Sequence, residues 1–158
     1  MTQQLNVRIV TLPPMRVASF YGYGAGPEMI AHGKLEEWAR PRGLLQPNSG
    51  RLVFGFNNPS PTPGSPNYGY EVWIVVHPDT APDGEARMLD FPGGLYAVTR
   101  CVVPEGDFAV IGNTWQQLNV WREDSPYKAG CHQWLEESLP LDLPGVAFVL
   151  DLYLPLAE

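Results

Sequence analysis

Residues 70–76 read Tyr70-Glu71-Val72-Trp73-Ile74-Val75-Val76. A run this rich in β-branched and aromatic residues predicts a strand. Residues 150–154, Leu150-Asp151-Leu152-Tyr153-Leu154, repeat its pattern, with an acid two positions before an aromatic. Side chains alternate across a strand. Val72, Ile74 and Val76 therefore share one face, suited to lie under a helix, while Glu71, Trp73 and Val75 share the other. By the same rule Leu150, Leu152 and Leu154 face a helix, and Asp151 and Tyr153 face away from it.

Working outward, both halves show one order of signals: broken strand, helix, strand, strand. In the first half a strand at Val7–Val10 is interrupted at Pro13-Pro14 and resumes at Arg16–Tyr21, since two prolines cannot sit in a central ladder. Pro27 opens a helix with Ala31, Leu35, Trp38 and Ala39 at helical spacing and the stem of Arg42 as cover. Pro41 and Gly43 end it. A short strand Arg51–Phe56 and a Pro/Gly/Ser/Asn loop over 57–69 follow. In the second half a strand spans Arg87–Val103, broken at Pro92-Gly93-Gly94. A helix then carries Phe108, Ile111, Trp115, Leu118 and Arg122 on one stripe, and strands are expected at Cys131–Glu137 and Ala147–Leu154. Leu12-Pro13 matches Phe91-Pro92, Leu35-x-x-Trp38 matches Leu118-x-x-Trp121, and Phe54 matches Trp134. Matches in one order at a nearly constant offset mean an internal repeat. The expectation is an α+β fold made of a duplicated β-α-β-β unit. It forms one domain over 1–158, with repeats at about 5–80 and 84–156 and a central pocket where the bare sheet faces make a trough.

The bulk composition agrees. The 158 residues are 44% hydrophobic and 17% charged, enough for a core and too apolar for a disordered chain. With 16 Gly and 17 Pro, many turns are expected. A net charge of -7 with scattered Lys and Arg excludes the basic stripe that direct nucleic-acid binding needs. Cys101 and Cys131 have no zinc or redox spacing and are expected as buried thiols on strands. No signal peptide or membrane span is evident, so a cytoplasmic protein is expected.

The broken first strand, Tyr70–Val76, Phe91-Pro92-Gly93-Gly94-Leu95-Tyr96-Ala97, the Trp115-x-x-Leu118-x-x-Trp121 helix, His132-Gln133-Trp134-Leu135-Glu136-Glu137 and Leu150–Leu156 together resemble the GyrI-like, AraC-effector-binding superfamily of bacteria over nearly the whole chain. That resemblance implies pseudo-twofold symmetry, antiparallel sheets with two main helices, and a pocket in which multidrug regulators hold lipophilic cations between aromatics and a buried glutamate. The glutamate usually lies in the second strand of the second repeat. Gln133 stands at the matching place here, and the nearest acids are Glu136 and Glu137. With no helix-turn-helix segment in the sequence, the chain is similar to stand-alone members, some of which resemble gyrase-protecting proteins and others hydrolases that open cyclopropane-bearing toxins.

Glu71 is the first candidate site acid. It is either a pocket carboxylate, costly to bury without a partner, or an edge-strand acid that reaches solvent or an arginine. Asp151 is its repeat mate. Trp73, Trp134, Tyr153, Tyr21, Tyr23, Phe56 and Tyr96 are candidate pocket walls, apolar and attractive to cations, each alternatively a core residue. Alternation puts His132, Trp134 and Glu136 on one face of their strand and Gln133, Leu135 and Glu137 on the other, and the Phe54 match favours the Trp134 face as inward. Glu71, Glu136 and Glu137 are the candidate catalytic acids, with His132 a possible partner. No metal or cofactor is expected, because no metal-ligand spacing occurs and Gly22, Gly24 and Gly26 fail the dinucleotide pattern at Pro27 and Met29. No nucleophile elbow is present. The expected function is binding of bulky apolar, aromatic or cationic xenobiotics. The alternatives are a hydrolase of reactive xenobiotics using a pocket glutamate, and a module that acts on a protein partner such as a regulator or gyrase.

Overall fold

The computed structural model describes residues 5–46, 52–84 and 86–158. Its elements run β1 (Arg8–Leu12), β2 (Met15–Gly24), α1 (Pro27–Ala39), β3 (Val53–Asn57), β4 (Tyr68–Val76), β5 (Arg87–Phe91), β6 (Gly94–Pro104), α2 (Ala109–Glu123), β7 (Leu135–Leu139) and β8 (Val146–Leu156). The fold is α+β with antiparallel strands and two helices, as the sequence predicts. Two compact units divide it, Pro14–Pro92 and a second that joins the N-terminal residues through Pro13 to Gly93–Glu158. Each unit takes its outermost strand from the other half of the sequence, the breaks falling at Pro13-Pro14 and Pro92-Gly93. Among the described residues no helix is long and apolar enough to cross a membrane.

In the first unit the strand order is β3-β4-β2-β5, every neighbour antiparallel. Helix α1 begins with Pro27 and buries Ala31, Leu35, Trp38 and Ala39 against Phe20, Tyr70, Val72, Ile74 and Val76. It ends in a 3-10 turn, Arg40–Arg42, capped by Gly43 in the left-handed region. The Arg42 guanidinium lies 4.3 Å from the centre of the Trp38 ring, the cover expected of its long side chain.

The second unit repeats the plan with order β1-β6-β8-β7. Leu118 of α2 packs with Ala97, Cys101, Leu150, Leu152 and Leu154. Leu118 and Leu152 are both fully buried, and each contributes about 2 kcal/mol relative to exposure.

Several expectations need correction. Strand β7 begins at Leu135, not Cys131. The His132 ring bonds the Leu95 carbonyl at 2.8 Å and the Tyr96 hydroxyl donates to the Gln133 carbonyl at 2.6 Å, so these contacts draw residues 131–134 off the ladder. Cys131 is consequently exposed, and only Cys101 is a buried thiol. Phe108 precedes α2 and is 57% exposed, stacking on Phe148 rather than joining the buried stripe. Asn57, Tyr68 and Gly69, read as loop, lie in strands. Arg51 lies outside the described residues.

Candidate functional site

The first unit gathers its polar groups on the sheet face away from α1. Glu71 stands on β4 opposite Tyr21 on β2 and Phe56 on β3. Its carboxylate is 5% exposed. One oxygen accepts bonds from the Ser19 hydroxyl and the Trp73 indole N–H, each at 2.7 Å, and the other accepts from the Asn58 amide at 3.3 Å. These donors are neutral, so they hold the carboxylate without cancelling its charge. Among the described residues its ion-pair partner is Arg87 of β5, 3.5 Å away with a side chain 67% exposed. Trp73 itself is clasped by Phe56 and Phe91, with ring centres 5.0 and 5.4 Å away. A cavity of about 470 Å³ opens on this carboxylate, lined by Ser19, Phe20, Tyr21, Lys34, Asn58, Glu71 and Arg87, a size suited to a small organic molecule. The Tyr21 hydroxyl donates to the Asn58 carbonyl at 2.7 Å and so fixes the residue that holds Glu71.

The second unit carries the same positions with other chemistry. Asp151 opposite Arg100 corresponds to Glu71 opposite Tyr21, and Tyr153 opposite Val98 corresponds to Trp73 opposite Ser19. Arg8 pairs with Val98 as Arg87 pairs with Ser19. Here the acid is closed by charge, since Arg8 and Arg100 each take one Asp151 oxygen, at 2.8 and 3.1 Å. The bond that Arg100 donates to Asp151, and the charge of that carboxylate, hold the Arg100 proton more firmly than usual. Tyr153 donates instead to Glu137 at 2.6 Å. Tyr96, buried, meets Tyr153 and His132 edge to face.

Residues 8–156 match the sequence profile of the integron-associated effector-binding proteins. The chain belongs to this family. Among solved structures the C-terminal domain of EcmrR is similar at TM-score 0.72 and 13% identity, over 99% of this chain and 99% of that one. A hydrolase from Listeria innocua is similar at TM-score 0.67 and 13% identity, over 99% and 94%. SAV2435 bound to tetraphenylphosphonium is similar at TM-score 0.58 and 8% identity, over 98% and 95%. At these identities the likeness is one of fold. The effector-binding chain spans 57% of the EcmrR chain in an EcmrR–DNA complex. No curated protein sequence matches it. The resemblance to the GyrI-like, effector-binding superfamily is borne out.

In this effector-binding chain the structure brings Glu71, Trp73, Phe56 and Tyr21 together in the first unit. Of these aromatics Tyr21 lines the cavity, whereas Trp73 and Phe56, both buried, and Tyr23 of β2, 57% exposed, do not. Asp151, Tyr153, Glu137, Tyr96 and His132 gather in the second unit. Register corrects one inference: Leu135, opposite Tyr153, is the counterpart of Phe54, opposite Trp73, so Trp134 is not. Trp134 is 42% exposed and rests on Trp115 of α2, and Glu136 accepts from the Trp115 indole at 3.4 Å. The face of β7 shared with Asp151 therefore carries Leu135 and Glu137. Among the described residues no group of His, Cys, Asp and Glu could hold a metal ion. Sequence reading missed Ser19, Asn58, Lys34, Arg87, Arg8 and Arg100.

Glu137 supplies a pH test. Burial, the largest influence, raises its pKa above the ordinary carboxyl value, against the lowering bond from Tyr153. A group whose folded pKa is raised contributes stability that is fully present below its unfolded pKa and lost as pH rises through the folded one. Glu137→Gln keeps an acceptor for Tyr153 and removes that loss. Its melting temperature is expected to exceed wild type at pH 7 and to converge with it at about pH 4. Thermal scans across that range check this, and a variant less stable than wild type at pH 7 would refute it.

Proposed function

We propose that this chain binds a bulky, largely apolar, foreign small molecule in the first-unit cavity, with a cationic or hydrogen-donating group of the ligand on Glu71. The observation that carries the reading is the buried Glu71 carboxylate, held by neutral donors at the cavity while its arginine partner stays at 3.5 Å and mostly in solvent. Burying an ion without full compensation is costly, and a ligand cation supplies the compensation. Tyr21, 41% exposed, offers aromatic surface to the rest of the ligand. The tetraphenylphosphonium-bound SAV2435 supports a bulky cation as the first probe.

Titration of tetraphenylphosphonium against tryptophan fluorescence tests the reading, with mass spectrometry of the compound afterwards. Saturable quenching of wild type is expected, with Glu71→Gln weakening affinity by between about tenfold and a hundredfold, the worth of one charged contact. Equal affinity in both proteins would overturn the assignment of Glu71. Consumption of a reactive electrophile in the same assay, lost in Glu71→Gln, would replace binding by hydrolysis with Glu71 as general base. Absence of binding across a panel of cations would leave a protein partner, such as a regulator or gyrase, as the better reading.

A further inference from the structure

We infer that Arg87 is a built-in competitor for the ligand's cationic group at Glu71, and that it sets how strongly the cavity discriminates between cations and anions. The inference rests on the reading of Glu71 as the ligand-binding acid.

Comparison of the two units carries the argument. Arg8 and Arg87 occupy equivalent positions on the outer strands β1 and β5, each directly beside the strand whose neighbour bears the acid. In the second unit Arg8 reaches Asp151 at 2.8 Å, a second arginine takes the other oxygen at 3.1 Å, and the acid is fully matched in charge. In the first unit the second arginine is replaced by Tyr21, whose hydroxyl is turned to Asn58. Among the described residues Arg87 is the cation paired with Glu71, at 3.5 Å, the outer limit of a charge-assisted hydrogen bond. Lys34, the other cation of the lining, is directed to the Tyr21 carbonyl at 3.0 Å. The Arg87 side chain is 67% exposed, so a displaced Arg87 is readily hydrated, and the charge it leaves on the buried Glu71 is met by the incoming ligand cation. A ligand cation that approaches Glu71 exchanges with Arg87 and is repelled by it, while an anionic ligand of the same shape is drawn toward Arg87.

Two probes of one shape and opposite charge separate these terms: tetraphenylphosphonium and tetraphenylborate. Arg87→Gln is expected to bind tetraphenylphosphonium about fivefold more tightly than wild type, since it removes a weak competing pair and a nearby like charge. It is expected to bind tetraphenylborate more weakly. Arg87→Lys, which keeps the charge, should stay close to wild type with both probes. The position is exposed, and coincident melting temperatures establish that all three proteins are equally folded. Unchanged or weaker tetraphenylphosphonium binding by Arg87→Gln, while Glu71→Gln still loses it, would overturn the role of Arg87 and leave Glu71 as the binding acid. Tetraphenylphosphonium binding that is indifferent to Glu71→Gln, or absent from every variant, would overturn both.

Discussion

Gly93→Ala is expected to destabilise the protein by about 3 kcal/mol. Gly93 has φ of 78°, where a side chain costs about 1–2 kcal/mol. A Cβ there would also run into the Leu12 carbonyl oxygen and lie 2.7 Å from the Pro13 carbonyl carbon. These are backbone atoms and cannot rotate away, which adds about 1–3 kcal/mol of overpacking. The contact lies where β1 ends against the start of β6, at the Leu12–Gly94 pair, so relief requires the outer strand to shift. For a chain of this size the melting temperature should fall by about 10 °C. Gly64→Ala provides the control, because Gly64 has φ of 83° with open space around it and carries the conformational cost alone. Thermal unfolding of both variants separates strain from packing, and equal losses would mean that the Leu12 approach imposes no constraint.

The same bend shows what the sequence could and could not reveal. Pro13-Pro14 and Pro92-Gly93 mark real breaks, because proline cannot donate to a ladder. Composition does not say where the strand goes after the break. Here β1 joins β6 and β5 joins β2, a pairing that depends on contacts distant in sequence. Faces were legible wherever a strand was long. Val72, Ile74 and Val76 lie in the core beneath α1, and Leu150, Leu152 and Leu154 beneath α2. Where a strand was short the reading failed by one residue, and a slip of one reverses every side chain. Matching Phe54 to Trp134 put the wrong face of β7 inward. The counterpart is Leu135, which is fully buried.

In the candidate site the acid was legible, since one charge within an apolar strand requires explanation, and of the predicted first-unit aromatics Tyr21 lines the cavity. The acid's donors were not legible, because Ser19, Asn58 and Arg87 reach Glu71 from three other segments. One of them left a trace. The match of Leu12-Pro13 with Phe91-Pro92, continued four residues back, sets Arg8 against Arg87, the two arginines that approach the two acids. The different outcomes reflect neighbours rather than the arginines: Arg100 stands opposite Asp151, whereas Tyr21 stands opposite Glu71. One duplicated frame thus holds a charge-matched acid in one unit and an acid open to a cavity in the other.

Gly69→Ala is expected to damage both the stability of the first unit and its cavity. Gly69 lies in β4, and a Cβ there would collide with the Asn58 carbonyl oxygen and the Tyr21 hydroxyl, with the Asn58 carbonyl carbon 2.7 Å away. Two backbone bonds lock the position: Asn58 N–H donates to Gly69 at 2.8 Å, and Gly69 N–H donates to Pro59 at 3.1 Å. The chain at 58–59 must therefore move outward, at a cost of about 2–3 kcal/mol for overpacking against backbone with lost hydrogen bonds. That movement withdraws the Asn58 amide from Glu71, breaks the Tyr21–Asn58 bond and displaces two residues that line the cavity, so tetraphenylphosphonium affinity should fall about tenfold, or about 1.4 kcal/mol. Tyr21→Phe removes the single Tyr21–Asn58 bond without moving backbone and should cost about 1 kcal/mol. Urea unfolding and ligand titration on the two variants rank the effects. Gly69→Ala with wild-type stability and wild-type affinity would mean that the bare backbone at this position serves neither the fold nor the carboxylate it adjoins.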